Sequence, residues 1–147
     1  MTTQLDSDRA TFVQLYVEVQ QFYARHMQLL DSGATEAWAD TFTEGAELRL
    51  PTLPAPVLGR QTLAADMDRA FRARTEAGEV QRHWHGMVDV DPQPDGSIAV
   101  RCYALVISST QQGGSNLFRA CVCEDRLVRE DGRLRVRTRR VSRDDLP

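Results

Sequence analysis

Residues 116–141 read NLFRACVCEDRLVREDGRLRVRTRRV. Two strand-like stretches, Asn116–Glu130 and Arg133–Val141, flank Asp131-Gly132, the two-residue signature of a tight hairpin. Upstream, Val80–Val90 and Ser97–Ser109 share the same β-branched and aromatic character. Pro94-Asp95-Gly96 and Gln112-Gly113-Gly114 supply the turns between them. Four such stretches in a row predict a long antiparallel meander. Counting outward from the hairpin pairs Arg133 with Glu130, Arg135 with Val128, Arg137 with Arg126 and Arg139 with Glu124. The four arginines then share a face, with two of the pairings cross-strand ion pairs. A solvated or subunit-facing surface explains that row better than a nucleic-acid groove, because no exposed aromatics interleave with it.

The first half of the chain reads differently. Phe12, Leu15, Tyr16, Val19, Phe22, Tyr23, His26 and Leu30 recur at helical spacing, so a long amphipathic helix is expected over 9–30. Asp31-Ser32-Gly33 ends it. A short second helix follows over Thr35–Phe42, with Trp38 and Phe42 on one side. Glu47–Leu50 reads as a strand stopped by Pro51, Pro54 and Pro56. Residues 61–77 form a third helix with Leu63, Met67, Ala70 and Phe71 inward and Gly78 as its stop. The order predicts an α+β fold: N-terminal helices packed on one side of a curved, mostly antiparallel sheet. The 147 residues, without repeat or linker, are expected to form one domain, 1–147.

Composition excludes several classes of function. Net charge is −3, from 18 basic and 21 acidic residues, which gives no general attraction for nucleic acid. Every basic residue is Arg. Nine fall within 119–143 against four acids, whereas 1–118 carries nine against fifteen. No apolar run reaches the ~20 residues of a membrane span. The N-terminus has no basic stretch leading an apolar one, so a cytoplasmic location is expected, with Cys102, Cys121 and Cys123 as reduced thiols.

His83 and His85, two apart on a strand, project from one face with Gln81 and Met87, while Trp84, Val88 and Val90 take the other. One reading makes His83 a general acid or base, since an imidazole ordinarily titrates near ~6.5. The other turns Trp84, Val88 and Val90 to the core and leaves both histidines in solvent. Asp31 is open in the same way, between a partner for His83 and the start of a turn. Tyr16, Tyr23 and His26 lie on the buried stripe of the first helix, where core packing is the default and Tyr23 is a candidate donor to a pocket. His83-x-His85 with Asp89 resembles the start of a cupin metal site, but the one remaining histidine, His26, lies on a helix. Cys121-x-Cys123 lacks the spacing and second pair of a zinc knuckle, so no metal is expected. The two cysteines are instead expected on the apolar face with Leu117 and Leu127, which share their parity.

The segment Leu30–Phe42, the strand start Gln81-Arg82-His83-Trp84 and the ending Val128–Val136 resemble the nuclear-transport-factor-two-like superfamily. Its members include SnoaL-like cyclases, ketosteroid isomerase and scytalone dehydratase. The likeness runs from Phe12 to Val141. It implies a cone of helices and sheet holding a small apolar molecule, and it favours the pocket reading for His83. In the scytalone-dehydratase-like branch an Asp ending the first helix bonds a His on the strand after the third; Asp31 and His83 stand at those places. Leu30 replaces that branch's Tyr, its second His falls near Ser108, and its later Ser and Asn match Cys121 and Cys123. A relative with different pocket chemistry is implied.

The expected function is therefore a cofactor-independent dehydratase, cyclase or isomerase. Its substrate is a small hydrophobic, aromatic or polyketide-like carbonyl compound, with Asp31 and His83 catalytic. Tyr23, His85, Trp38, Ser108, Cys121 and Cys123 are the expected substrate-binding residues. A non-catalytic small-molecule binder or partner subunit of the same fold is the alternative. A homodimer is expected through the outer sheet face, where Phe118, Ala120, Val122 and Val128 adjoin the Arg row.

Overall fold

The first helix is longer than its apolar stripe. In the computed structural model, which describes residues 2–147, α1 spans Thr2–Asp31, yet residues 3–14 are exposed and burial starts only at Leu15. Val19, Tyr23, His26, Met27 and Leu30 make the buried face, at the spacing of one helical stripe. The chain turns at Gly33, which takes φ +80°; a Cβ there would also collide with the Phe71 ring. The second helix, α2, covers Thr35–Ala39 and stops short of its expected end. Phe42 instead opens β1 (Phe42–Arg49), paired in parallel with Val136. Tertiary pairing outweighs helical spacing over those last residues.

A two-residue strand, β2 (Val57–Leu58), and helix α3 (Arg60–Glu76) follow. The meander comes next: β3 (Val80–Pro92), β4 (Ile98–Thr110), β5 (Gly114–Glu130) and β6 (Arg133–Arg143). The six strands run in the order β2-β1-β6-β5-β4-β3, antiparallel throughout except at β1–β6. At the hairpin, Asp131 (φ 53°) and Gly132 (φ 75°) both take the positive φ of a two-residue turn. The helices lie on one face of the curved sheet, giving the α+β architecture. Phe42, Leu63, Leu127 and Val136 are fully buried in the shared core, each worth ~1.5–3 kcal/mol over an exposed position.

Three bulges correct the face assignments made from strict alternation. In β3 the register shifts between Gly86 and Asp89, and Met87 sits at φ 51°. Val88 and Val90 therefore turn inward, to the side of His83 and His85, while Met87 is 78% exposed. In β5 the shift between Val106 and Ile107 makes Phe118 the extra residue, so Leu117 is exposed and does not share a face with Cys121 and Leu127. In β6 the extra residue is Arg137: Leu127 pairs with Val136, but Arg126 pairs with Thr138 and Asp125 with Arg139. Each inserted residue reverses the alternation beyond it.

The last bulge splits the arginine row. Arg133 and Arg137 stay in solvent, Arg135 is half-buried, and Arg139 turns into the core at 5% exposure. Its Nε and Nη2 each donate to Asp125 at 2.8 Å, a bidentate pair. Asp125 also accepts the Tyr23 hydroxyl at 2.7 Å. Arg139 Nη2 donates to His26 Nε2 at 2.9 Å, and His26 Nδ1 passes its proton toward Thr41 Oγ1 at 2.6 Å. Thr41 Oγ1 in turn donates to the Trp38 carbonyl. Both charges are thus neutralised and their hydrogen-bonding capacity is used, as buried ions require.

Arg139→Met, which keeps the packing volume but leaves Asp125 unpaired, is expected to lower unfolding stability by ~3–5 kcal/mol in urea titrations. The double variant Asp125→Leu/Arg139→Met should recover part of that loss, since it removes both buried charges.

Candidate active site

Asp31 is the last residue of α1, and His83 lies four residues into β3. The turn at Gly33 and the packing of α1 across β3 bring them together. Asp31 Oδ2 accepts the His83 backbone N–H at 3.0 Å, and Oδ1 lies 2.6 Å from His83 Nδ1. Both carboxylate oxygens thus hold a single residue. With Nδ1 as the donor, the free lone pair of the ring is on Nε2. The Asp31 side chain is 7% exposed and that of His83 19%, so the carboxylate is sheltered while the imidazole reaches the surface.

The surface that it reaches is a groove of about 380 Å³ between α1 and β3. Gln20, Tyr23, Met27 and Gln28 line one wall; His83 and His85 line the other. A neighbouring hollow of about 490 Å³ lies toward α3, and Asp31 and Arg82 border both. A larger cleft of about 630 Å³ lies between α2 and α3. Four of its five charged residues are paired, as Asp40–Arg60 and Asp68–Arg72, leaving Glu36, and no histidine lines it. The groove beside Asp31 and His83, and not this wider cleft, holds a carboxylate–imidazole pair.

The other expected binding residues divide. His85 lines the groove, its ring 5.5 Å from that of Tyr23. Tyr23 also lines it, but its hydroxyl is committed to Asp125 and cannot be spared for a ligand. Burial, reinforced by the Asp125 charge, pushes that phenol well above its ordinary range. Trp38 does not reach the groove: it is buried against His26 and Phe42. Ser108 lies near the far end of β4 and donates to Glu79 at 2.8 Å. Cys121 and Cys123 are buried under the sheet surface, outside the groove lining.

Cys123 does take part in a polar cluster. The Cys123 thiol beside it holds the Cys102 sulfur down to about 5, and His85, 3.6 Å away, acts in the same direction against burial. The same contact, with burial, pushes Cys123 well up. Below it, burial alone would raise Asp125, but the Arg139 guanidinium more than offsets that and keeps it ionised. Asp125 and Arg139 are the residues that the sequence reading missed. A signal was available for the acid: Asp125 shares the inward parity of Cys121, Cys123 and Leu127. Arg82 and Gln28 were missed as well, because nothing in their local sequence distinguishes them from surface residues.

Comparison with known proteins shows the family and the fold. A family described as the SnoaL-like domain matches residues 12–140. Aln2 from a Streptomyces species is 39% identical, over 90% of this chain and 92% of its own, with a TM-score of 0.82. ActVI-ORFA from Streptomyces coelicolor is 31% identical, over 92% and 98% of the two chains, with a TM-score of 0.84. A Catenulispora acidiphila protein solved in complex with S-DNPA is 32% identical, over 90% and 96%, with a TM-score of 0.79. No curated protein matches.

His26, beneath the groove, makes stability sensitive to pH. Burial drives its imidazole well below the ordinary range, with Arg139 adding to the effect. The unfolded chain therefore binds a proton near pH 6.5 that the folded chain refuses. Stability from this group is intact above that pH and falls as the pH drops through and below it, by up to ~1.4 kcal/mol per pH unit. Urea midpoints between pH 7.5 and 5 should show the decline, and His26→Gln, though less stable at pH 7.5, should show a shallower slope by about that amount.

Proposed function

We propose, from the premise that this chain belongs to the SnoaL-like domain family, that it is a lyase or isomerase of secondary metabolism. The reaction is dehydration, cyclisation or isomerisation of a small hydrophobic, aromatic or polyketide-like carbonyl compound. The observation that carries the reading is the Asp31 carboxylate holding both the ring and the backbone of His83. Such a pair orients a base and stabilises its protonated form. A groove of about 380 Å³ suits a small multi-ring compound, and a relative that binds S-DNPA supports small-molecule binding here.

In this reading His83 Nε2 removes a proton from the carbon next to the substrate carbonyl. Electrons move onto the carbonyl oxygen, and Arg82 or Gln28, at the groove, stabilises the developing negative charge. Asp31 balances the imidazolium as it forms. For a dehydration, the imidazolium returns its proton to a β-hydroxyl, which leaves as water while the enolate collapses to the unsaturated carbonyl. For an isomerisation or ring closure, the same proton returns to carbon or oxygen. His85 places the substrate oxygen from the same wall. Tyr23 serves as a wall of the groove and not as a donor.

The outer face of β3–β5 fits a second copy of the chain. Trp84 (66% exposed), Tyr103 and Phe118 stand out from it, and the register sets Val122 beside Tyr103 and Ala120 beside Leu105. Apolar area of this kind in the open is uncommon on a monomer. Arg119, over the Phe118 ring at 4.7 Å, begins its charged border.

Two measurements test these statements. Turnover of hydroxylated bicyclic β-hydroxy ketones should fall ~10²–10⁴-fold in His83→Ala, with little change in melting temperature, because the ring borders a hydrated groove. A variant that keeps full turnover on an authentic substrate overturns the catalytic role and leaves a binding module. Sedimentation at micromolar concentration should show a dimer, and Trp84→Glu should convert it to monomer.

A further inference from the structure

Three soft donors, remote in sequence, converge on the floor beneath the groove. His85 of β3 stands opposite Ala104 of β4, and two residues along β4, on the same face, Cys102 stands opposite Cys123 of β5. A ring nitrogen of His85 and the sulfurs of Cys102 and Cys123 lie within 4.8 Å of one another. Cys102 Sγ is 3.6 Å from His85 Nδ1. A tetrahedral ion with the bond lengths of zinc, ~2.3 Å to sulfur and ~2.0–2.1 Å to nitrogen, holds such ligands about 3.5 Å apart. The two donors therefore already stand at the corners of a zinc-sized tetrahedron.

Chemistry and charge narrow the choice of ion. Both sulfurs are free thiols at 1% exposure. Two thiolates and a neutral imidazole around a divalent cation form an uncharged unit, which is the form a core tolerates. Thiolate and imidazole select zinc over the oxygen-seeking magnesium and calcium. Asp125 cannot complete the set, since both of its oxygens are bound to Arg139 and one also accepts from Tyr23. Cys121, also inward on β5, lies outside the cluster.

We propose that His85, Cys102 and Cys123 form a Cys2His binding site for one Zn²⁺, with water as the fourth ligand. His85 is the member of the three that borders the groove, so the ion enters from that side. Spacing along the chain gives no hint of the site, and only the strand register assembles it. The inference does not depend on the catalytic role of His83.

The test uses the full chain, freed of metal and kept reduced with a phosphine. Co²⁺ alone is added as an optical probe. The expected result is a thiolate-to-cobalt charge-transfer band with tetrahedral d–d bands, saturating at one ion per chain and abolished by Zn²⁺. Cys123→Ser and His85→Asn should each weaken Zn²⁺ binding by ~10-fold or more, measured against a chromogenic chelator, while Cys121→Ser leaves it unchanged. Cobalt bound without a thiolate band overturns the proposal, as does equal loss in Cys121→Ser. The spectrum of the unmodified chain decides the matter even if a core cysteine variant fails to fold.

Discussion

The bidentate pair of Arg139 and Asp125 is the contact on which the rest of the molecule is arranged. Breaking it would leave an uncompensated charge in the core, so β5 and β6 are tied into a single register beyond the bulge at Arg137. The pair also reaches α1, through Tyr23 on Asp125 and through His26 on Arg139. Tyr23, Met27 and Asp31 fall four residues apart on one stripe of that helix. Fixing Tyr23 and His26 sets the rotation of α1, and the rotation sets where the Asp31 carboxylate points. The Asp31–His83 pair two turns further on is positioned, at one remove, by this buried ion pair.

This arrangement separates structural polarity from working polarity. His26 is held neutral in the core, with both nitrogens engaged. The Tyr23 phenol is committed to Asp125. His83 has one nitrogen fixed by Asp31 and the other left to the groove. A group with spare hydrogen-bonding capacity at a solvent-filled edge is available for proton transfer, whereas a fully satisfied one in the core is not. The same contrast explains why Trp38, although aromatic and close to the histidines, belongs to the core and not to the binding surface.

Much of the candidate site was legible in the sequence, and the failures share one cause. Asp31 and His83 could be placed because a helix end and a strand start are marked locally by turn residues, and the resemblance paired them. Tyr23 and His85 were placed on the correct elements as well. Leu117, Val88, Val90 and Arg139 were assigned to the wrong faces, each because alternation was carried straight through a bulge. None of the three extra residues, Met87, Phe118 and Arg137, is itself a glycine or a proline, and only the bulge of β3 carries a local marker, Gly86 beside Met87.

By itself the sequence determined the order of the helices and of every strand but the two-residue β2, the Asp131-Gly132 hairpin, the buried stripe of α1 and which side chains have the chemistry to exchange a proton. Those follow from periodicity, turn chemistry and side-chain type, which act over a few neighbouring residues. Only the tertiary structure decided which strand residues face inward, that Arg139 meets Asp125 instead of Glu124, and that His85, Cys102 and Cys123 meet at all. A strand's faces depend on its register with its neighbours, and a single inserted residue reverses them. Register is settled by what the whole sheet can bury and pair, which no stretch of the chain contains alone.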